Sequence, residues 1–382
     1  MNIKSLLIGS AAATVAATGA QAADAIFVPE PEPMEYVRVC DVYGAGFFYI
    51  PGTETCLKIG GYVRYEMGYT SGDFGDADGW DKLARATVTF DARSETEYGT
   101  LGGFIELRLQ STGTDPVFIP GINEGDHLSQ GLNSSTSRVQ QAILSLGGLS
   151  MGVSDTLYDA GLSGEFDQGG GDRVNFVRYT FDTANGMFVS VALEEVDDAY
   201  DWTPNVVGNV GVSQAWGSAN LWGAYDATAE EWAAKAIVAY DPGTAFFAEA
   251  IATYESGISY YSVDPFGGIG HGFTDDLDDH PRVGAEWSAG GLVGYHINPR
   301  LKASIGAQYF GNVGHDPLFG DDLDAIKVGA TIDYEIVENF NAKLAINYTK
   351  FDGDVPFVVD GVAGSLHNPD QWHGFLRFDR NF

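Results

Sequence analysis

The sequence predicts an all-β fold: a sixteen-stranded antiparallel transmembrane β-barrel with short periplasmic turns and long extracellular loops. Three observations carry this expectation. Segments of roughly ten residues alternate between apolar and polar side chains, the pattern of strands wet on one side. The connections between them alternate between short and long, which describes a barrel with two unlike rims. The chain finishes on such a segment, "QWHGFLRFDRNF", with Phe382 as its last residue and no polar tail to cover the edge. An exposed strand edge needs a partner, and pairing with the first strand supplies one.

The amino-terminal stretch "MNIKSLLIGSAAATVAATGAQA" has a positive start at Lys4, a short Ala-rich apolar run and the small-residue pattern Ala20-Gln21-Ala22. It reads as a secretory signal spanning residues 1–22 and cleaved after Ala22. Residues 23–56 follow as a periplasmic tether, extended by its prolines and acids, with a closed segment at its end. That segment holds the two cysteines of the chain, Cys40 and Cys56, which in an exported protein are expected to pair. The closed loop would contribute roughly 3 kcal/mol in the chain-entropy model.

From Leu57 to Phe382 the alternation is continuous. "LKIGGYVRYEM" sets Leu57, Ile59, Val63, Tyr65 and Met67 against Lys58, Tyr62, Arg64 and Glu66. "ARATVTFDAR" and "GFIELRL" repeat the pattern, and residues 326–336 give it most clearly, with Lys327, Asp333 and Glu335 opposite an apolar row. Counting these segments places strands near residues 57, 83, 101, 138, 149, 174, 186, 205, 218, 231, 245, 282, 301, 325, 340 and 371. Short turns fall at 94–100, 147–148, 298–300 and 337–339, and long acidic loops at 256–281, 311–324 and 351–370.

A soluble sandwich would show the same local alternation. Two features favour a membrane barrel. Aromatics sit toward strand ends at Tyr179, Tyr240, Tyr254, Tyr295, Phe340 and Tyr348, as an interfacial girdle requires. Charges such as Arg64, Arg85, Arg108, Lys327 and Lys343 lie on the other face, suiting a watery lumen in a barrel too wide to fill with side chains. Beyond the leader there is no apolar run long enough for a membrane helix, and in hydrocarbon only helices and closed barrels satisfy their backbone hydrogen bonds.

Charge excludes some partners. With 53 acids against 20 bases and a formal net charge of −33, the chain offers no basic face for nucleic acid. The chemistry-bearing motifs are weak. Gly148-Leu149-Ser150-Met151-Gly152 fits G-x-S-x-G, but lies in strand sequence, not at a strand-to-helix turn. "DLDDH", residues 276–280, lacks the Gly and Glu positions of a calcium loop. The seven histidines have no paired metal spacing, so no metal and no cofactor is expected.

The segments "VRVCDVYGAGFFYIPGTETCLKIGGYVRYE", "EEWAAK" and "GFLRFDRNF" resemble the general porins of alphaproteobacterial outer membranes, the group that includes the major porins of Brucella and other Rhizobiales. The resemblance covers nearly all of the mature chain, with loops 113–136 and 256–281 particular to this sequence. It implies a homotrimer in the outer membrane, surrounded by lipid and lipopolysaccharide, passing small hydrophilic solutes and ions passively. It implies that Phe382 is read by the outer-membrane assembly machinery; Arg380 departs from tails that carry an aromatic or apolar residue there. It implies too that the third long loop, about residues 154–173, folds inward as a constriction.

That loop brings Asp155, Asp159, Glu165, Asp167 and Asp172 to the acidic side of the expected pore. Arg64, Arg85 and Arg108, with Arg93 nearer the periplasm, are the expected basic side. Opposed rows would set up a transverse field that filters ions and orients dipolar solutes. The acidic loops predict a weak cation preference. Two rival classes remain at this point: an outer-membrane barrel enzyme such as a lipid hydrolase, built on Ser150, and a closed structural or adhesive barrel.

Overall fold

The structure is a computed structural model that describes residues 38–73, 79–112, 134–170, 173–183, 185–196, 203–265, 284–314, 323–359 and 362–382. The chain divides into Met1–Arg38 and Val39–Phe382, and the architecture below is that of the second unit. The signal at 1–22, the tether at 23–37, Asp172 and the acidic run 276–280 lie outside the described residues.

Sixteen antiparallel strands form one closed sheet. In chain order they are β1 (Cys56–Gly72), β2 (Gly79–Thr96), β3 (Gly99–Thr112), β4 (Ser134–Leu146), β5 (Leu149–Asp155), β6 (Arg173–Asp182), β7 (Met187–Glu195) and β8 (Asn205–Gln214). They continue as β9 (Gly217–Asp226), β10 (Glu231–Tyr240), β11 (Phe246–Glu255), β12 (Ala285–Asn298), β13 (Leu301–Val313), β14 (Asp324–Val337), β15 (Phe340–Asp352) and β16 (Asp370–Asn381). Each pairs with its sequence neighbours, and β16 pairs with β1. All sixteen coincide with the segments read from the sequence.

The seam between the last strand and the first closes the barrel. β16 runs beside β1 from Gln371 opposite Gly72 to Asn381 opposite Tyr62. Beyond it, the Phe382 amide donates to the Gly61 carbonyl at 3.0 Å and the Gly61 amide donates back at 3.2 Å. The last residue therefore completes the backbone hydrogen bonding that a membrane-embedded edge could not leave open. A Cβ at Gly61 would stand 2.1 Å from the Thr87 carbonyl oxygen and 3.1 Å from the Phe382 ring, and its φ of +148° favours glycine.

Two-residue turns at 97–98, 147–148, 215–216, 299–300 and 338–339 mark one rim. Gly147 and Asn339, with φ of +56° and +63°, supply the left-handed conformation two of these turns need. The longer connections mark the opposite, extracellular rim; a small hairpin pairing Asp354–Val359 with Val362–His367 stands in the last of them.

Outward side chains are large, apolar and exposed, among them Val63, Ile105, Val191, Leu221, Val293, Ile305 and Ile346. So extensive an apolar exterior belongs against hydrocarbon. Aromatic pairs bridge neighbouring strands at both edges of this band. Tyr69–Trp80, Trp232–Tyr254, Trp287–Tyr309 and Tyr348–Trp372 lie toward the extracellular side, and Phe246–Tyr295 and Phe340–Phe378 toward the periplasmic side.

Below the barrel, Cys40 and Cys56 are joined in a disulfide. Phe48–Tyr49 pairs with the start of β1, and Phe47 packs against the bridge. The Arg93 guanidinium lies 5.3 Å from the Phe47 ring and 5.9 Å from that of Tyr43.

Candidate functional site: a loop docked inside the barrel

The segment between β5 and β6 has no regular secondary structure over residues 156–170, so its peptide groups must find partners elsewhere. It finds them on inward side chains of the wall. Glu194 on β7 is fully buried and accepts from the Thr156 hydroxyl at 2.5 Å, the Leu157 amide at 2.8 Å and the Tyr261 hydroxyl at 3.1 Å. Three donors on one carboxylate satisfy a charge that would otherwise be costly to bury. Glu249 on β11 accepts from the Ser163 amide at 2.7 Å. Gln308 on β13 both accepts from the Gln168 amide at 2.8 Å and donates to its carbonyl at 3.2 Å. Asn347 on β15 donates to the Glu165 carbonyl at 2.8 Å.

Apolar packing works with these bonds. Phe166, 1% exposed, occupies space that two wall glycines leave free. A Cβ on Gly306 would sit 2.3 Å from its ring, and one on Gly329 would sit 2.7 Å from its Cβ. Tyr158 packs edge-on to Tyr261 at 5.4 Å between ring centres. Tyr260 and Tyr261 belong to a second inward segment, residues 256–265, which the sequence marks only as the start of a long acidic loop. Its Tyr260 amide donates to Asp226 at 2.8 Å and its Tyr260 hydroxyl to the Arg173 carbonyl at 3.2 Å.

The two segments and the inward residues Val174, Phe176, Ala192, Val207, Trp222, Ala224, Ala233, Ile237, Phe247, Ile251 and Leu292 form one hydrophobic core. The expectation of a lumen too wide to fill is thus corrected along this arc: loops, not wall side chains alone, fill it. The other arc carries charge. Arg64 makes a two-bond ion pair with Asp379, at 2.7 and 3.1 Å. Arg377 pairs with Glu66, Arg108 with Glu106 at 3.4 Å, and Arg85 donates twice to the neutral Gln110, at 2.9 and 2.7 Å.

The sequence-predicted residues distribute unevenly. Glu165 reaches the charged arc, where Lys343 donates to it at 2.7 Å and Arg377 approaches at 3.4 Å. Lys343 and Arg377, rather than the predicted Arg64, Arg85 or Arg108, are the bases that meet the loop; the register placing Arg377 beside Lys343 and Glu66 shows why. Asp167 turns back and accepts from the Leu162 amide at 2.6 Å. Burial raises its carboxyl to about 6, against the lowering effect of backbone hydrogen bonds and Lys327; Glu249 adds to the rise. Asp155, at the end of β5, faces Gln140 at 3.5 Å. Asp159 lies on the loop near Lys235. Arg93 is held by Asp91 at 2.9 and 2.7 Å near the periplasmic disulfide segment.

Ser150, the serine of G-x-S-x-G, lies in β5 between Ser145 and Arg178, on extended backbone with no helix after it. A nucleophile elbow needs the strand-to-helix turn that this stretch lacks. Among the described residues no group of acids, histidines and cysteines could hold a metal ion.

Comparison with known proteins agrees with this architecture. The family model described as Porin subfamily matches residues 24–375. Porin Omp2a of Brucella suis biovar 1 is 35% identical over 405 aligned positions, with both chains covered in full. Porin Omp2b of Brucella canis is 35% identical over 407, again with full coverage. Among solved structures, the outer membrane channel DcaP of Acinetobacter baumannii superposes with a TM-score of 0.59 at 16% identity, covering 87% of this chain and 99% of its own. An anion-selective porin from Comamonas acidovorans gives 0.54 at 13% identity, over 86% and 100%. With a closed barrel, an apolar exterior, a charged inner arc and full-length relatives of this kind, the chain belongs to the porin subfamily and is an outer-membrane porin.

Proposed function

We propose that the channel passes small hydrophilic solutes and ions passively, through a passage bounded by the docked loop 156–170 on one side and the charged arc of β14–β16 and β1–β3 on the other. The observation that carries this reading is the division of the lumen: apolar side chains fill one arc, while Arg64, Glu66, Arg85, Arg108, Arg377 and Asp379 line the other. In this reading Asp155, Asp159, Glu165, Asp167 and Asp172 form the acidic side of the constriction, and Arg64, Arg85, Arg93 and Arg108 the basic side.

Selectivity is weak and favours cations. Glu165, Glu66, Glu106 and Asp379 are each matched by a base, so the narrow zone has little net charge of its own. The sign is then set by the excess of acids over the whole chain, whose field is screened beyond about 8 Å in physiological salt. The channel works as a homotrimer in lipid and lipopolysaccharide, and Phe382 is the assembly signal. It needs no cofactor and carries out no catalysis.

Planar-bilayer recording in a salt gradient tests the reading. Stepwise conductance with a small reversal potential of the cation-selective sign supports it. A clear anion preference contradicts the selectivity, and a non-conducting barrel contradicts the channel. Phospholipid hydrolysis lost on Ser150→Ala would favour the enzyme instead.

A further inference from the structure

One charged group in the apolar arc is assigned no part in the pore. Lys235 on β10 is 1% exposed and points inward among Tyr158, Trp222, Ala233 and Ile237. A lysine in such surroundings needs partners for all three of its protons. It has them on the inward loop: its ammonium donates to the carbonyls of Tyr158, Ala160 at 2.9 Å and Gly169 at 2.6 Å. Two aromatic faces complete the shell, with Tyr158 at 4.2 Å and Trp222 at 5.2 Å from the nitrogen.

The positions of the three carbonyls are informative. Tyr158 and Ala160 belong to the descending limb of the loop, and Gly169 to the returning limb. The limbs touch at this point, since a Cβ on Gly169 would lie 2.1 Å from the Ala160 carbonyl oxygen. Lys235 therefore sits at the neck of the loop and draws both limbs onto the wall. The other attachments, at Glu249, Gln308, Lys343 and Asn347, hold the span between the limbs. A neck held by one compact cation fixes how far the whole span projects into the lumen.

We infer that Lys235 is the positioning residue of the constriction: by clamping both limbs of the 156–170 loop through three carbonyls, it sets the width and steadiness of the passage while itself staying out of contact with solute. This rests on the reading of that loop as the constriction. An ammonium suits the task because its three protons diverge from one point, whereas a guanidinium presents a planar fork.

The test is single-channel recording of the full-length protein as Lys235→Met, which keeps an apolar stem of similar length and removes the donors. Conductance is expected to rise roughly two-fold, as when a constriction limits the current, with open-channel noise and a reversal potential moved from the unaltered value. A folded variant with unaltered conductance, noise and reversal potential overturns the inference. Should Lys235→Met fail to fold, Lys235→Arg is recorded; added flicker supports the clamp, and a trace indistinguishable from the unaltered channel overturns it. Excising residues 161–168 separates the two levels. If excision leaves conductance unchanged, the constriction reading fails and the inference falls with it. If excision raises conductance and Lys235→Met does not, the inference alone fails.

Discussion

The two arcs of the lumen are made by the same alternating strand pattern and end in opposite states. On β6–β12 an apolar cluster, with buried polar groups such as Glu194, Asn205 and Lys235 set among it, faces the lumen, and two loop segments cover it until residues such as Tyr158, Phe166 and Tyr261 are almost inaccessible. On β14–β16 and β1–β3 the inward positions are largely ionic and remain partly open: Arg64, Arg377 and Lys343 pair with carboxylates one strand away, Arg108 with Glu106 two residues along its own strand, and Arg85 with a neutral amide. The difference teaches that a wide barrel need not be uniformly wet. Glu194 and Lys235 in the apolar arc, with Gln308 on the adjoining β13, hydrogen-bond the inward loops; the polar groups of the ionic arc are left for what passes through.

The contrast can be broken from the apolar side first. Tyr261→Ala removes a fully buried ring from between Tyr158 and Glu194 and is expected to destabilise the folded barrel by about 3–5 kcal/mol, read by denaturant unfolding. Replacing both Cys40 and Cys56 by serine should cost roughly 3 kcal/mol in the same measurement, with open-channel conductance unchanged because the bridge lies at the periplasmic end. Gly306→Ala forces a methyl toward the Phe166 ring and should cost about 1–3 kcal/mol while disturbing the loop, visible as added current noise.

The ionic side is sharpened by smaller effects. Arg85 has a neutral amide for its partner, so Arg85→Ser removes positive charge without orphaning a carboxylate. Its stability should stay within about 0.5 kcal/mol of the unaltered protein, and its reversal potential should move toward cation preference. Acidity gives a last test. Asp167 is raised on folding to about 6 from an ordinary value of 3.8, so it favours the docked loop fully below about pH 4 and loses that contribution as pH rises through 6. Current noise should therefore increase between pH 4 and 6, and Asp167→Asn should flatten that profile. The charges facing it are Glu249, Lys327 and Lys235, which would shift the midpoint without reversing the sign.

The barrel itself was legible in the sequence because a period of two, repeated sixteen times with alternating turn lengths, has few other solutions. Each strand start was found to within a few residues, and the closing pair was deduced from Phe382. The docked loop was located only through resemblance, and its partners were not. The alternation sets Lys343 on the lumen face and Arg377 on the polar face of the last strand, but which charges meet depends on strand register, which one strand's sequence does not reveal. A signal for the filled arc was nonetheless present. Ala192, Trp222, Ala224, Ala233 and Ile237 fall on the inward face of their strands between outward apolar residues such as Val191, Leu193, Leu221 and Val238, unlike the polar inward row of "LKIGGYVRYE", and strands covered on both sides read in that way. The second inward segment carries no such signal, because Tyr260-Tyr261 stand in the same long connection as the acidic residues after them.

The division of the lumen is tested most directly by thiol accessibility in the conducting channel, which has no free cysteine among its described residues. Arg85→Cys, on the ionic arc, and Ala224→Cys, inside the apolar core, are exposed in turn to a charged water-borne thiol reagent during bilayer recording. A prompt current step is expected for Arg85→Cys and none for Ala224→Cys. Equal reaction at both positions, or no current from either, would contradict it.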